Sequence, residues 1–117
     1  MRLGVEKLST TDCAAAAGHL NPFNVSTDCI YQRDCTMFTP QRCELGDTTG
    51  KLGPIDVPVY KATPSGEPDV GKYYFVSTDQ PLCGPTTVVG RSVVIHREDF
   101  GGPRLTCSNI LEFKPKA

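Results

Sequence analysis

Apolar residues occur along this chain in short groups that turn residues separate, a pattern typical of short strands. The clearest groups lie at residues 86–96 and 104–113, and a third group at residues 73–77 is rich in β-forming residues. Residues 55–60 are also partly β-branched but contain a proline, which is typical of an edge strand. The pattern predicts an all-β fold, either an antiparallel sandwich or a barrel.

The amino-terminal third of the chain has little apolar periodicity of either kind. Leu3 and Val5 alternate with polar neighbours and predict the end of a short strand. Residues 13–43 show no sustained helical period, although they contain four of the six cysteines. Long loops without regular structure are usually functional or cross-linked, so we expect a loop here that disulfides hold in place.

Length and charge restrict the classes of protein that fit this pattern. The 117 residues are enough for one domain, residues 1–117. The 12 Lys and Arg residues nearly cancel the 13 Asp and Glu residues, whereas a nucleic-acid-binding domain carries clustered positive charge. The chain has no basic amphipathic segment of the kind that binds a membrane surface. No apolar run approaches the ~18 residues of a transmembrane helix. We expect neither nucleic acid nor membrane as a partner.

The cysteines indicate the compartment. An even set of 6 cysteines predicts an oxidising, extracellular environment and up to three disulfides. Asn24 begins an Asn-x-Ser sequon, which predicts a glycosylation site in a secreted protein. The spacing of Cys29, Cys35 and Cys43 lacks the close pairs of a structural zinc site, so zinc is not expected. Because no apolar leader segment is present, either the chain is a fragment of a longer protein, which we favour, or a targeting segment was removed.

Five short motifs follow one another between about residues 13 and 111. They are His19-Leu20-Asn21-Pro22-Phe23-Asn24, Glu44-Leu45-Gly46-Asp47, Gly90-Arg91, Val93-Val94-Ile95-His96 and Arg104-Leu105-Thr106-Cys107. In this order and spacing they resemble the copper/zinc superoxide dismutase family. The resemblance implies an antiparallel Greek-key β-barrel, in which the family's first strands have no counterpart in this chain.

The resemblance also implies a copper site. His19 looks like the histidine that sits between copper and zinc, and His96 looks like a copper ligand. Arg104 looks like the arginine that guides and hydrogen-bonds superoxide, the substrate of the family. Cys13 and Cys107 look like the family's intramolecular disulfide, which closes a loop of roughly 95 residues, worth about 4–5 kcal/mol in the chain-entropy model.

With that disulfide granted, the four other cysteines leave three connectivities. The two pairs that we favour are Cys29–Cys43 and Cys35–Cys83.

Two departures from the family pattern resemble its copper-only branch, which is extracellular. No histidine lies between His19 and His96, so the zinc histidines are missing. Only residues 97–103 separate His96 from Arg104, so the long electrostatic loop is missing as well. In that branch Glu44 and Asp47 would hydrogen-bond His19, fixing the tautomer and the orientation of its ring, instead of holding zinc.

A third departure concerns the metal itself. The family takes two further copper ligands from a His-x-His motif, but residues 3–6 in the corresponding place contain no histidine. Cu(II) prefers several nitrogen ligands, and oxygen from Glu6, Asp12 or Asp99 replaces them poorly. We therefore expect copper-dependent superoxide dismutation to be weak or absent in this chain as it stands.

Two interpretations of the chain stay open on this basis. One is a superoxide dismutase domain whose copper site needs ligands from elsewhere. The alternative is a catalytically inactive, disulfide-stabilised extracellular β-module for protein binding or structure. A partner chain or neighbouring domain that completes the barrel is compatible with both, because unpaired sheet edges accept further strands.

Overall fold

The computed structural model is built around a small antiparallel sheet, and it describes residues 1–4, 12–55, 64, 73–97 and 102–116. The strands are β1 (Arg2–Gly4), β2 (Ser92–His96) and β3 (Arg104–Asn109). The sheet has the order β1-β2-β3, with β2 in the centre. The short helices are α1 (Tyr31–Asp34), α2 (Thr48–Leu52) and two 3₁₀ helices, Cys13–Ala16 and Pro40–Arg42. No helix in these ranges is long and apolar enough to cross a membrane.

A register shift interrupts the pairing of β2 with β3. Ile95 pairs with Thr106, but the next residue, His96, pairs with Arg104. Leu105 is therefore the extra residue of a β-bulge, an insertion that commonly redirects side chains. The bulge brings Arg104 opposite His96, two residues that lie eight positions apart in the sequence.

One face of the sheet is covered by the first 3₁₀ helix. Val94 is fully buried there and packs with Ala16 of that helix and with Cys107 of β3. The helix approaches closely because Gly4 has no side chain: a Cβ at this position would lie 2.5 Å from the carbonyl oxygen of Ala16. Burial of one valine contributes about 1.5–3 kcal/mol, so this contact fixes the loop on the sheet.

The second apolar cluster joins the loops to the turn before β2. Its buried members are Leu20, Leu45 and Val88, with Val93 and Ile110 packed against them. The turn itself ends at Gly90, whose φ of +82° is a conformation that glycine adopts without steric cost. Gly90 donates its N–H to the carbonyl of Ile110 at 2.8 Å. β2 therefore begins at Ser92, and not at residue 86 as the apolar pattern predicts.

Other predicted elements also differ from the structure. Residues 73–77, predicted as a strand, have no regular structure and are exposed, because β-forming residues make a strand only where a neighbouring strand pairs with them. Within residues 13–43, predicted as loop, the chain forms short helical turns. Of the edge strand predicted at residues 55–60, only Ile55 lies within the described residues. The described sheet is wholly antiparallel, and a closed Greek-key barrel stays a prediction.

The disulfide implied by the resemblance is present. Cys13 and Cys107 are joined, with their Cα atoms 5.6 Å apart. The bond attaches the first 3₁₀ helix to β3, on the same face of the sheet that Val94 occupies. Its position explains how a loop without much regular structure stays on the sheet.

The predicted pairing of the other cysteines is wrong. Cys35 forms its disulfide with Cys43, with a Cα–Cα distance of 4.7 Å, while Cys29 and Cys83 are exposed thiols. The reason is local, since Cys35 directly follows α1 and Cys43 directly follows the second 3₁₀ helix. These two turns fold the chain back on itself, which the spacing of the cysteines does not reveal.

Candidate functional site

The residues predicted to form the metal site fall into two pairs. His19 lies beside β1, where it forms an isolated bridge with Gly4, and Gly4 pairs with Ser92 at the start of β2. His96 is the last residue of β2 and pairs with Arg104. The two histidines are thus associated with opposite ends of the central strand.

The first pair consists of His19 and Glu44. The Nδ1 atom of His19 lies 2.5 Å from Oε2 of Glu44, which is 8% exposed. A carboxylate accepts hydrogen bonds, so Nδ1 of His19 is the donor in this contact. Histidines that ligate metals are commonly held by a carboxylate in this way.

Tyr31 holds the backbone of Glu44 in place. Its hydroxyl donates to Oδ2 of Asp47 at 2.8 Å and accepts the N–H of Glu44 at 3.0 Å. Burial raises the pKa of the Tyr31 phenol well above its ordinary value, and the neighbouring Asp47 carboxylate raises it further. Sequence reasoning missed Tyr31, and its place between cysteines in a loop gives no signal of this role.

Asp47 differs from its predicted role. We expected it to hydrogen-bond His19, but its Oδ1 accepts the N–H of Gly50 at 2.9 Å and so caps α2. Its Oδ2 is taken by Tyr31. Both oxygens of the carboxylate therefore have partners. Oδ1 caps the helix, since an aspartate before a helix satisfies an otherwise unpaired backbone donor.

The second pair consists of His96 and Arg104. Nδ1 of the half-buried His96 donates to the carbonyl oxygen of Gly102. A carbonyl can only accept, so Nδ1 of His96 is also a donor. Next to this contact, the N–H of Arg97 donates to the carbonyl of Pro103 at 2.9 Å.

Arg104 is held by backbone carbonyls. Its guanidinium donates to the carbonyl of Cys13 and, at 2.7 Å, to that of Ala17. These bonds tie β3 to both ends of the first 3₁₀ helix, next to the Cys13–Cys107 disulfide. The positive charge of Arg104 is therefore fixed in the region of His96, while the side chain also has a structural function.

The donor set is suited to copper in kind but not in number. Imidazole nitrogen suits copper, and Nδ1 is the hydrogen-bond donor in both histidines, as is common in ligating histidines. No group of three His, Cys, Asp or Glu side chains within the described ranges is arranged to hold a metal ion. Asp12 caps the first 3₁₀ helix by accepting the N–H of Ala14 at 2.9 Å, and Glu6 and Asp99 lie outside the described residues.

Comparison with known proteins gives a fold and no closer assignment. No family model and no curated protein matches the chain. Superoxide dismutase 5 of Candida albicans, solved with Cu(II), aligns with a TM-score of 0.67 and 24% identity over 99% of this chain and 64% of that chain. A mutant of the same protein aligns with a TM-score of 0.66 and 23% identity, over 99% of this chain and 62% of that chain.

The chain spans under two thirds of the length of these solved structures. At 23–24% identity the likeness concerns the path of the backbone. The chain has the superoxide dismutase fold.

Proposed function

We propose that this chain is a superoxide dismutase-type domain with an incomplete copper site, in which His19 and His96 are the imidazole ligands. The observation that carries the proposal is that both rings donate Nδ1–H to a protein oxygen atom. In a neutral ring of this kind the lone pair that can bind a metal is on Nε2. Histidines that ligate metals are commonly held by a hydrogen bond of this kind.

The residues around the two rings have distinct tasks in this proposal. Glu44 orients His19, and the carbonyl of Gly102 orients His96. Arg104 places a fixed positive charge that attracts a small anion such as superoxide, and such steering raises association rates about 10–1,000-fold. Bound copper would supply one-electron redox chemistry. Because the chain contains 2 histidines, we expect weak copper binding and little or no dismutation by the chain alone.

Copper titration of the full chain, followed by electron paramagnetic resonance, tests the proposal. Because His19 and His96 are associated with opposite ends of β2, one shared ion requires their side chains to converge. The wild type should then show Cu(II) with nuclear couplings from two imidazoles, and couplings from a single imidazole would contradict a shared site. His19→Gln and His96→Gln should each reduce the couplings to one imidazole. Glu112→Gln, at a side chain that is 72% exposed, is the matched control for adventitious binding and should leave the spectrum unchanged.

The outcomes of this titration separate the interpretations. Spectra that are the same in the wild type and in both histidine variants would contradict the proposed ligands. Superoxide consumption far above that of free copper at the same concentration would contradict the proposal of an incomplete site. Absence of stoichiometric binding, with the fold intact, favours the second candidate function.

The second candidate is an inactive extracellular β-module for protein binding or structure. Two disulfides favour it, since such bonds are typical of oxidising compartments and extracellular domains. Exposed apolar side chains on neighbouring strands, Ile95 of β2 and Leu105 of β3, also favour a partner. A partner chain or neighbouring domain that adds strands to the sheet is part of this proposal.

A further inference from the structure

The hydroxyl of Tyr31 is shared between two partners in different segments. It donates to Asp47 at 2.8 Å and accepts from the backbone N–H of Glu44 at 3.0 Å. Asp47 is itself fixed at the start of α2 through the N–H of Gly50. The amide of Glu44 is therefore held between α1, to which Tyr31 belongs, and the first turn of α2.

The side chain of the same residue, Glu44, holds His19. A glutamate side chain has three rotatable bonds, so its carboxylate meets Nδ1 of His19 reliably only if the backbone amide is fixed. The neighbouring segment is also attached to the histidine loop by the packing of Leu45 with Leu20 and by a 2.8 Å hydrogen bond from the N–H of Gly46 to the carbonyl of Leu20. These contacts fix the two loops against each other but do not orient the carboxylate.

We propose that Tyr31 is a positioning residue for the His19 ring and acts through Glu44. Its phenol oxygen sets the backbone of Glu44, and the Glu44 carboxylate then sets the tautomer and the orientation of His19. The use of the oriented ring as a copper ligand rests on the proposed function, whereas the orientation itself is a property of the metal-free chain.

Nuclear magnetic resonance of the metal-free, ¹⁵N-labelled full chain tests this inference. In the wild type the His19 ring should be protonated on Nδ1, and this proton should exchange slowly with water. In Tyr31→Phe, which keeps the aromatic ring, the exchange of the His19 Nδ1 proton should become about tenfold faster, the scale of one lost hydrogen bond. The ring of His96, which has other partners, should not change.

Tyr74→Phe is the matched control, because it removes a hydroxyl from a tyrosine that is 89% exposed. It should leave both histidine rings as they are in the wild type. If Tyr31→Phe lowers the melting temperature but leaves the exchange of the His19 proton unchanged, Tyr31 is only a structural residue and the inference is wrong.

A second variant keeps the test decisive if Tyr31→Phe does not fold. Asp47→Asn retains an oxygen that can cap α2, but it places an amide N–H donor where the Tyr31 hydroxyl now finds its acceptor, so that hydroxyl loses its present orientation. It should also accelerate exchange of the His19 proton, and no acceleration overturns the inference. Copper affinity is measured separately: if the wild type binds no copper while Tyr31→Phe changes the His19 ring, the proposed function fails and the positioning inference stands.

Discussion

Asn24, the first residue of the sequon, lies in an exposed turn. The residue is exposed and has a φ of +51°. The side chain of Asn21 holds this turn, since its amide donates to the carbonyl of Val25 at 2.8 Å and accepts the N–H of Val25 at 2.9 Å. Ser26, the third residue of the sequon, is exposed as well. A defined, accessible turn is the surface-loop context in which such sequons are glycosylated.

Secretion of the chain from a eukaryotic host should therefore yield a protein whose mass falls on treatment with an N-glycosidase. Asn24→Gln should abolish the mass shift, because the acceptor amide is lost. Ser26→Thr keeps a functional sequon and should retain the shift. Wild-type protein that leaves the cell without a glycan would show that Asn24 is not modified.

The roles of single residues depend on tertiary contacts that the sequence does not contain. The resemblance of short motifs singles out His19 and Glu44. In the structure, Nδ1 of His19 lies 2.5 Å from Oε2 of Glu44. The resemblance equally singles out Asp47, which instead caps α2. Tyr31 has no motif around it, because its partners are a backbone amide and a carboxylate from later segments.

At the scale of elements, a buried lysine attaches an exposed segment to α2. The side chain of Lys51 is 4% exposed, and its Nζ donates to the carbonyl of Leu45 at 2.6 Å and to Asp79 at 2.8 Å. Burial raises the pKa of the Asp79 carboxyl, but hydrogen bonds from Lys51 and Ser77 outweigh this effect. The pKa of Asp79 therefore lies below its ordinary value of 3.8.

This ion pair predicts a loss of stability in acid. A carboxyl with a lowered pKa in the folded state contributes stability above pH 3.8, and the contribution disappears as the pH falls through the folded-state pKa. Asp79→Asn should cost less than about 1 kcal/mol at pH 7, because the Asp79 side chain is 46% exposed. Urea unfolding at pH 7 and pH 3 should show a smaller acid effect in this variant than in the wild type.

Lys51→Met is the companion variant. It removes the donor to the buried carbonyl of Leu45 and should cost about 1–3 kcal/mol at pH 7, more than Asp79→Asn. An equal acid effect in the wild type and in Asp79→Asn would mean that the ion pair does not contribute to the folded state.

A strand can be predicted correctly from the sequence only where another strand pairs with it. Of the apolar groups predicted as strands at residues 86–96 and 104–113, residues 92–96 and 104–109 form strands because these two segments pair with each other. Residues 73–77 are equally β-forming, but no strand is formed there. Backbone pairing between distant segments decides the difference, and local composition does not encode it.

At the scale of the whole molecule, the two disulfides close loops of very different size. Cys13–Cys107 has a sequence separation of 94, and Cys35–Cys43 has a separation of 8. The chain-entropy model assigns about 4–5 kcal/mol to the larger loop and roughly 2–3 kcal/mol to the smaller one. The larger loop includes β2, so this bond constrains almost the entire unfolded chain.

Replacement of both cysteines of one pair by serine should show this difference. In urea unfolding, the loss of Cys13–Cys107 should lower the free energy of unfolding by about 2 kcal/mol more than the loss of Cys35–Cys43. Treatment of the wild type with a reductant should lower the melting temperature accordingly. Equal losses for the two pairs, or indifference to the reductant, would contradict the assigned bonds.

The bulge at Leu105 affects how this chain should be aligned with others of the same fold. Without the extra residue, Ile95 and His96 would still face a threonine and an arginine in an uninterrupted ladder. A one-residue gap at this position therefore preserves the juxtaposition of imidazole and guanidinium. A gap of the same length between Thr106 and Asn109 would instead shift the pairing of β3 with Ser92, Val93 and Val94. Insertions and deletions in β3 therefore differ in meaning according to which side of the bulge they fall on.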